Sequence, residues 1–326
     1  VEVCFANPGT SEMHLVAAIG KSERMRAILC LFEGVVSGAA DGYARMTDKP
    51  ALTLLHLGSG FANSMANQHN AMRAHVPLVN MVGDHATYHL KYDAPLTSDV
   101  PAHARIASDW VRVSESADDL ALAGAQAVQA SLSGAGKLTT FIAPANHAWD
   151  EATQPVAPLE PAGLEVVGQD AIEKALQLLG NGRKTVLVLG GRALREESLL
   201  AAGKIASASG ARLVCEVFPA RLQRGVGRVA PERLPYFAEA ALEALEGTEQ
   251  MILVGTRAPV AFFAYPGKPG WLTPDGCETQ TLATVDQEPA AELESLAARF
   301  GATQADGLTE PAAALPAPSG TLSPVA

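Results

Sequence analysis

Residues 26–46, RAILCLFEGVVSGAADGYARM, decide how this chain is organised. The run AILCLF, 27–32, is apolar and short, and reads as a buried strand. Small and apolar residues then recur at helical spacing, which predicts a helix over 34–46. Glu33 stands at the junction. A glutamate there is either an anion favoured by the field at a helix start or an acid held ready for chemistry. Gly34, Ser37, Gly38 and Ala39 are small enough to let another group approach closely.

The same alternation extends in both directions. Strands are predicted at 2–6, 51–56, 77–82 and 139–143, and helices at 11–20, 62–73 and 117–132. Strands separated by helix-length intervals imply a parallel sheet covered on both faces. A proline-rich stretch, 144–163, then reads as a linker. Beyond it come a helix at 168–179, a strand at 184–189, a helix at 195–208 and a strand at 211–215. A helix at 235–245 and a strand at 250–254 follow. The expected fold class is α/β, with two consecutive three-layer domains of flavodoxin-like or Rossmann-like type. The expected boundaries are 1–150 for the first domain, 151–165 for a linker, 166–305 for a central domain, and 306–326 for a Pro/Ala-rich linker.

Composition excludes several function classes. The 326 residues carry a net charge of −11 with no concentrated basic patch, which argues against nucleic acid. No apolar run is long enough to span a membrane. Cysteines 4, 30, 215 and 277 lie far apart without a CxxC, so neither disulfides nor structural zinc is expected. Reduced thiols point to a cytoplasmic protein. The chain opens directly in a strand pattern and ends in proline and alanine, so a longer natural protein is expected.

Three segments can carry chemistry. NPGTSE, 7–12, follows the first strand; Thr10 or Ser11 either caps the next helix or contacts a ligand. LHLGSGFANSMANQHNAM, 55–72, brings His56 to a strand end, with Gly58 and Gly60 keeping the turn bare and Asn63, Asn67 and Asn70 recurring along a helix. His56 is either a core histidine or a site residue, and its setting beside the glycine turn favours the site. GDHATYHLKYDAPLTSD, 83–99, supplies His85, His89 and Asp93 without an HExxH pattern, so an ordered loop beside a site is expected and no metal centre. In the second half, KTVLVLGGRAL, 184–194, lacks a full GxGxxG and a paired ribose acid, and its glycines read as a tight turn.

NPGTSE, FEGVVSGAADGYAR, GSGFANSMANQHNA and PLVNMVGDH, in that order, resemble the thiamine-diphosphate enzymes of the acetolactate synthase, pyruvate oxidase and benzoylformate decarboxylase group. The resemblance implies that 1–150 is a pyrimidine-binding domain and 166–305 the central domain. It further implies that Glu33 is the carboxylate held against N1′ of the cofactor's aminopyrimidine, assisted by Gly58, Gly60 and Asn63. His56 falls where benzoylformate decarboxylase holds an active-site histidine, and Thr10 where it holds a serine. Pro95-Leu96 replaces the Phe-Gln pair of acetolactate synthases, which makes Leu96 a substrate-binding candidate with Thr10. Thiamine diphosphate is the implied cofactor. Mg²⁺ ligands are expected on a C-terminal pyrophosphate-binding domain that these residues lack, and the 326 residues alone are expected to be inactive. FAD, used by some members, has no convincing motif here and is not expected.

The implied reaction is decarboxylation of a small-molecule 2-keto acid with carboligation, as in acetolactate synthase. The alternatives are simple decarboxylation of the benzoylformate decarboxylase type, or a non-catalytic regulatory or assembly subunit. In the family the cofactor lies between subunits, so a homodimer or homotetramer is expected. Helix 62–73, with Met65 and Met72, is the candidate interface.

Overall fold

The computed structural model describes residues 1–312 and Gly320. It divides into two compact units, Val1–Glu165 and Val166–Ala326. Residues 313–319 and 321–326 of the anticipated C-terminal linker lie outside the described residues. Leu308–Glu310, assigned to that linker from sequence, instead return to the second unit: Ala230 N donates to Leu308 O at 2.9 Å and Glu310 N to Arg228 O at 2.8 Å. Four backbone groups that a free linker would leave to water are thereby paired.

The first unit runs β1 (Val3–Ala6), α1 (Met13–Lys21), β2 (Arg26–Leu29), α2 (Glu33–Thr47), β3 (Ala51–His56), α3 (Leu57–Arg73) and β4 (Leu78–Asp84). It continues with α4 (Val100–Ile106), β5 (Trp110–Val113), α5 (Ala117–Leu132), β6 (Leu138–Pro144) and α6 (Ala145–Trp149). The sheet order is β2-β1-β3-β4-β6-β5, and every pairing is parallel. Strand β1 therefore has β2 on one side and β3 on the other. The chain leaves β1 and β3 in opposite directions, and a crevice opens outside their carboxyl ends, where α/β sheets place ligands.

The apolar run 27–32 does not behave as a buried strand. β2 ends at Leu29 and forms the sheet edge, with Leu29 72% and Leu31 90% exposed. Its apolar residues faced no pattern that could separate a central strand from an edge. β5 and α4 were not anticipated, because neither shows clean periodicity. α3 begins five residues earlier than predicted, at Leu57, whose φ of 50° lies in the left-handed region. That conformation, costly for a buried leucine, makes the strand-to-helix corner that follows His56.

Alternation along the strands separates two cores. Leu52 and Leu54 of β3 pack with Cys4, Val79, Ala123 and Phe141, whereas Ala51 and Leu55 pack with Val36, Ala40 and Phe61 on the α2–α3 face. Met65 and Met72, expected at an interface, pack against this second core. A buried polar lattice crosses the same face. Thr53 Oγ1 donates to Asn80 Oδ1 at 2.6 Å, and Asn80 Nδ2 donates to Thr140 Oγ1 at 3.0 Å and to Gln68 Oε1 at 3.3 Å. Gln68 donates onward to Ser64. All five residues are fully buried. Each polar atom has lost water, so each requires its partner.

The second unit runs α7 (Gln169–Gly180), β7 (Thr185–Leu189), α8 (Glu196–Ser209), β8 (Arg212–Cys215), β9 (Glu232–Arg233), α9 (Ala238–Leu245), β10 (Gln250–Val254), β11 (Glu278–Ala283) and α10 (Ala290–Arg299). Its parallel sheet has the order β11-β10-β7-β8-β9. Leu187, Leu189, Ile252 and Val254 face one core, and Val186, Val188, Met251 and Leu253 face the other. β11 and α10, absent from the sequence prediction, complete one edge and one layer. Among the described residues no helix is long and apolar enough to cross a membrane.

Candidate active site

The carboxyl ends of β1 and β3 bring together residues that lie far apart in sequence. After β1, Thr10–Glu12 forms a single 3-10 turn. Neither Thr10 nor Ser11 caps the next helix. Instead, the Glu12 carboxyl turns back: Oε2 accepts from Gly9 N at 2.7 Å and meets His56 Nδ1 at 2.8 Å. Ser11 Oγ bonds Glu12 Oε1 and lies 3.2 Å from the same ring nitrogen. Glu12 is fully buried.

An ionised carboxylate only accepts, so the proton of a neutral His56 sits on Nδ1. Nε2 is then left as an acceptor. Two glycines make this pairing sterically possible. A Cβ on Gly9 would come within 2.6 Å of His56 Cγ, and one on Gly83 within 2.6 Å of Glu12 Cδ.

Asp84, at the end of β4, is a second buried carboxyl. Burial pushes its pKa up, and nearby Glu12 adds to the rise. The His85 N–H bond at 2.7 Å and the His85 ring oppose it.

Glu33 opens α2 and is buried, at 8% exposure. Its Oε2 accepts from Asn63 Nδ2 at 3.0 Å. No protein donor reaches Oε1 among the described residues, and a Cβ on Gly60 would stand 3.3 Å from that oxygen and 3.4 Å from His56 Cβ. Gly60 thus lies between Glu33 and His56. α2 and α3 are locked around this point. Asn67 Nδ2 donates to Gly34 O at 2.7 Å, and Ser37 Oγ to Ser64 O at 3.1 Å.

A cavity of about 280 Å³ opens on the other side of His56. Thr10 and Leu96 line it together with His85, Tyr88 and Trp149. The structure therefore gathers Glu33, Gly60, Asn63 and His56 on one side, and His56, Thr10 and Leu96 on the other. Gly58 faces elsewhere: a Cβ there would meet Ser98 Cβ at 3.0 Å and His103 Nδ1 at 3.1 Å. Among the described residues no group of three or more His, Cys, Asp or Glu is placed to hold a metal ion.

Glu12 was missed in the sequence. It stands where a helix capped by Thr10 or Ser11 was expected to begin, so it drew no reading of its own. The signal that could have found it was a strand end supplying a carboxylate opposite the strand end that supplies His56.

Residues 1–104 match the family model described as thiamine pyrophosphate enzyme, N-terminal TPP binding domain. "Putative acetolactate synthase large subunit IlvX" of Mycobacterium tuberculosis is 50% identical over 298 residues, covering 91% of this chain and 56% of that protein. The chain belongs to the thiamine-diphosphate-dependent enzyme family. Within it, the relationship is to the acetolactate synthase and benzoylformate decarboxylase branch, through the N-terminal and central domains.

Benzoylformate decarboxylase of Pseudomonas aeruginosa is 31% identical over 199 residues, covering 57% of this chain and 36% of that one. The fold is shared with the thiamine-diphosphate-dependent 4-hydroxybenzoylformate decarboxylase of Rhodococcus jostii, at a TM-score of 0.78 and 21% identity, over 98% of this chain and 63% of that one. The chain thus spans a little over half the length of the Mycobacterium tuberculosis protein.

Proposed function

We propose that the natural protein is a thiamine-diphosphate enzyme that decarboxylates a 2-keto acid and passes the remaining carbons to an acceptor carbonyl. The observation that carries this reading is the Glu33 carboxyl: one oxygen fixed by Asn63, the other open beside the bare Gly60. A buried carboxyl with one reachable oxygen suits the ring nitrogen of an aminopyrimidine, and a side chain at 60 would obstruct it.

The cofactor, when bound, supplies an acidic thiazolium carbon and an electron sink for the bond to carbon dioxide. Glu33 would share a proton at Oε1 with the aminopyrimidine while Asn63 holds Oε2. His56 would take up or return a proton at Nε2, with Glu12 fixing the ring through Nδ1. Thr10, at the cavity wall, would orient the substrate carboxylate. Simple decarboxylation to an aldehyde is the second reading. It is favoured by the place of His56 in the cavity wall, since a proton donor beside the reacting carbon ends the reaction there.

Mg²⁺ and the diphosphate would be held by parts of the natural protein beyond these two units. FAD is not part of this reading. Gly191 N, at the turn after β7, bonds Glu216 Oε1 at 3.3 Å. A Cβ on Gly190 would already meet Gly255 O at 2.9 Å and Thr256 Cβ at 2.6 Å. Glu216 sits just past β8, where a ribose-binding acid stands in dinucleotide folds. The sequence reading found no such acid, and here it is turned onto the glycine turn itself.

Self-association would cover the β2 edge, where Leu29, Leu31 and Phe32 are exposed. The four free cysteines suit a reducing, cytoplasmic setting.

The test is release of carbon dioxide from 2-keto acids by the natural gene product, with and without thiamine diphosphate and Mg²⁺. Cofactor-dependent release is expected. Its absence for every acid tried, in protein shown to be folded, would sink the reading. An acyloin or acetohydroxy acid product supports carboligation, and an aldehyde alone supports simple decarboxylation.

A further inference from the structure

Three imidazoles line the cavity, those of His56, His85 and His89. His56 ends β3, and Glu12 Oε2 at 2.8 Å fixes its Nδ1. His85 directly follows β4, which runs parallel to β3 with Gly83 opposite His56. The spacing between strands and the rise along them therefore put the Cα atoms of His56 and His85 about 8 Å apart. A small molecule fits between the two rings.

The three rings differ in what satisfies them. His89 is exposed, so water can serve its nitrogens. Its own N–H closes a turn onto Ala86 O at 2.8 Å, and its ring lies beside that of His85 with centroids 5.7 Å apart. His85 N donates to Asp84 Oδ1 at 2.7 Å, which fixes the backbone at the strand end. Nε2 of His85, however, is shielded from solvent and has no hydrogen-bond partner among the described residues. A ring nitrogen left unpaired in this way is costly, and a bound molecule that supplies the partner removes the cost.

Carboligation asks for two proton-handling groups. When carbon dioxide leaves, the electron pair of the broken bond stays on the donor carbon. That pair forms the new bond to the acceptor's carbonyl carbon, and the π pair of the acceptor C=O moves onto its oxygen. This oxygen must gain a proton. The donor's own oxygen, on the adjacent carbon, must lose one as the product is released. A single ring held at Nδ1 by Glu12 presents only Nε2, and so serves one of these oxygens. Over the whole cycle one proton is consumed from solvent for each carbon dioxide released from a keto-carboxylate.

We propose that His85 is the catalytic residue for the acceptor: its protonated Nε2 gives a proton to the acceptor's carbonyl oxygen as the carbon–carbon bond forms, while His56 serves the donor's oxygen. The His85 ring ends the step neutral and regains its proton from solvent. The proposal rests on the carboligation reading above and adds the residue that separates carboligation from simple decarboxylation.

The test uses the natural protein with thiamine diphosphate and Mg²⁺, with carbon dioxide and ligated product read in the same reaction. His85→Gln keeps a side-chain amide but has no titratable nitrogen. Its ratio of ligated product to carbon dioxide should fall by about 10²-fold, the low end of what positioned proton transfer contributes, with aldehyde appearing instead. An unchanged ratio, or aldehyde as the sole product of the wild type, would overturn the proposal and leave the decarboxylase reading standing. No carbon dioxide from any 2-keto acid would remove both.

A second readout needs neither cofactor nor turnover. Proton–nitrogen correlation spectra of the natural protein with labelled histidine are recorded with and without 2-hydroxy-2-methylpropanoate. This acid carries the tertiary hydroxyl and carboxylate of the acceptor half of a ligated product. The His85 Nε2 signal should move on binding. The signals of His147, whose Nδ1 already pairs with buried Ser114 Oγ at 2.9 Å, should stay in place. A stationary His85 signal would overturn the proposal whether or not His85→Gln folds.

Discussion

Replacing Glu33 by glutamine preserves size and the Asn63 contact but removes the carboxylate at Oε1. In the natural enzyme, activity should fall by about 10²- to 10⁴-fold, the range that positioned proton transfer contributes. Deuterium exchange at the thiazolium carbon of bound cofactor should slow with it; unchanged exchange would refute the assignment. Asp84 gives a prediction of the opposite kind. Its carboxyl is raised by burial, so its contribution to stability is present at low pH and is lost as pH rises through the raised value. Asp84→Asn keeps an oxygen for His85 N–H and removes the buried charge. Thermal melts should show the variant more stable than wild type at neutral pH, with the gap closing towards about pH 4, the ordinary range of Asp. A gap that widened on acidification would contradict the sign.

At the scale of elements, β1, β3 and β4 meet in a corner where glycine is a steric requirement. Gly83→Ala would drive a methyl into the Glu12 carboxyl, which is walled in by His56 and Gly9. The expected cost is about 1–3 kcal/mol in urea unfolding, typical of overpacking. Gly60→Ala meets looser neighbours, Glu33 Oε1 at 3.3 Å and His56 Cβ at 3.4 Å, and should leave stability nearly unchanged. It should nevertheless weaken thiamine-diphosphate binding in the natural enzyme at least tenfold. Equal losses of stability in the two variants would argue against distinct roles.

Most of this corner was legible in sequence. Strand-end glycines and His56 announce themselves by type and spacing, and parallel strands give long apolar runs. What stayed hidden depends on neighbours. Leu29 and Leu31 look like core residues until β2 proves to be an edge. Met65 and Met72 look wholly available until their partial packing against the α2–α3 core is seen. Glu12 looks like the opening residue of a helix capped by Thr10 or Ser11 until His56 arrives from 44 positions away.

For the molecule as a whole, two units each with their own pair of cores predict separable behaviour. Residues 151–162 hold no helix or strand. They are tied back at Thr153, whose N and Oγ1 donate to Asp118 Oδ1, and at 160–162, through Gln129 Nε2 to Glu160 O and Ala162 N to Ser133 Oγ, which leaves Glu151 ahead of the first tie. Limited digestion with a glutamate-specific protease should therefore cut at exposed Glu151 before Glu160, leaving two resistant pieces identifiable by mass. First cuts inside either sheet would contradict this division.

The polar lattice of Thr53, Asn80, Thr140, Gln68 and Ser64 also bears on how such a chain can change over generations. Each member depends on another, so a single replacement strands a buried donor or acceptor. Apolar replacement of the whole set at once would avoid that, but it lies several mutations away through less stable intermediates. Drift should therefore be correlated at these five positions, and a compilation of orthologous sequences should show them exchanging as a group while the solvent-facing side of α3 varies one residue at a time.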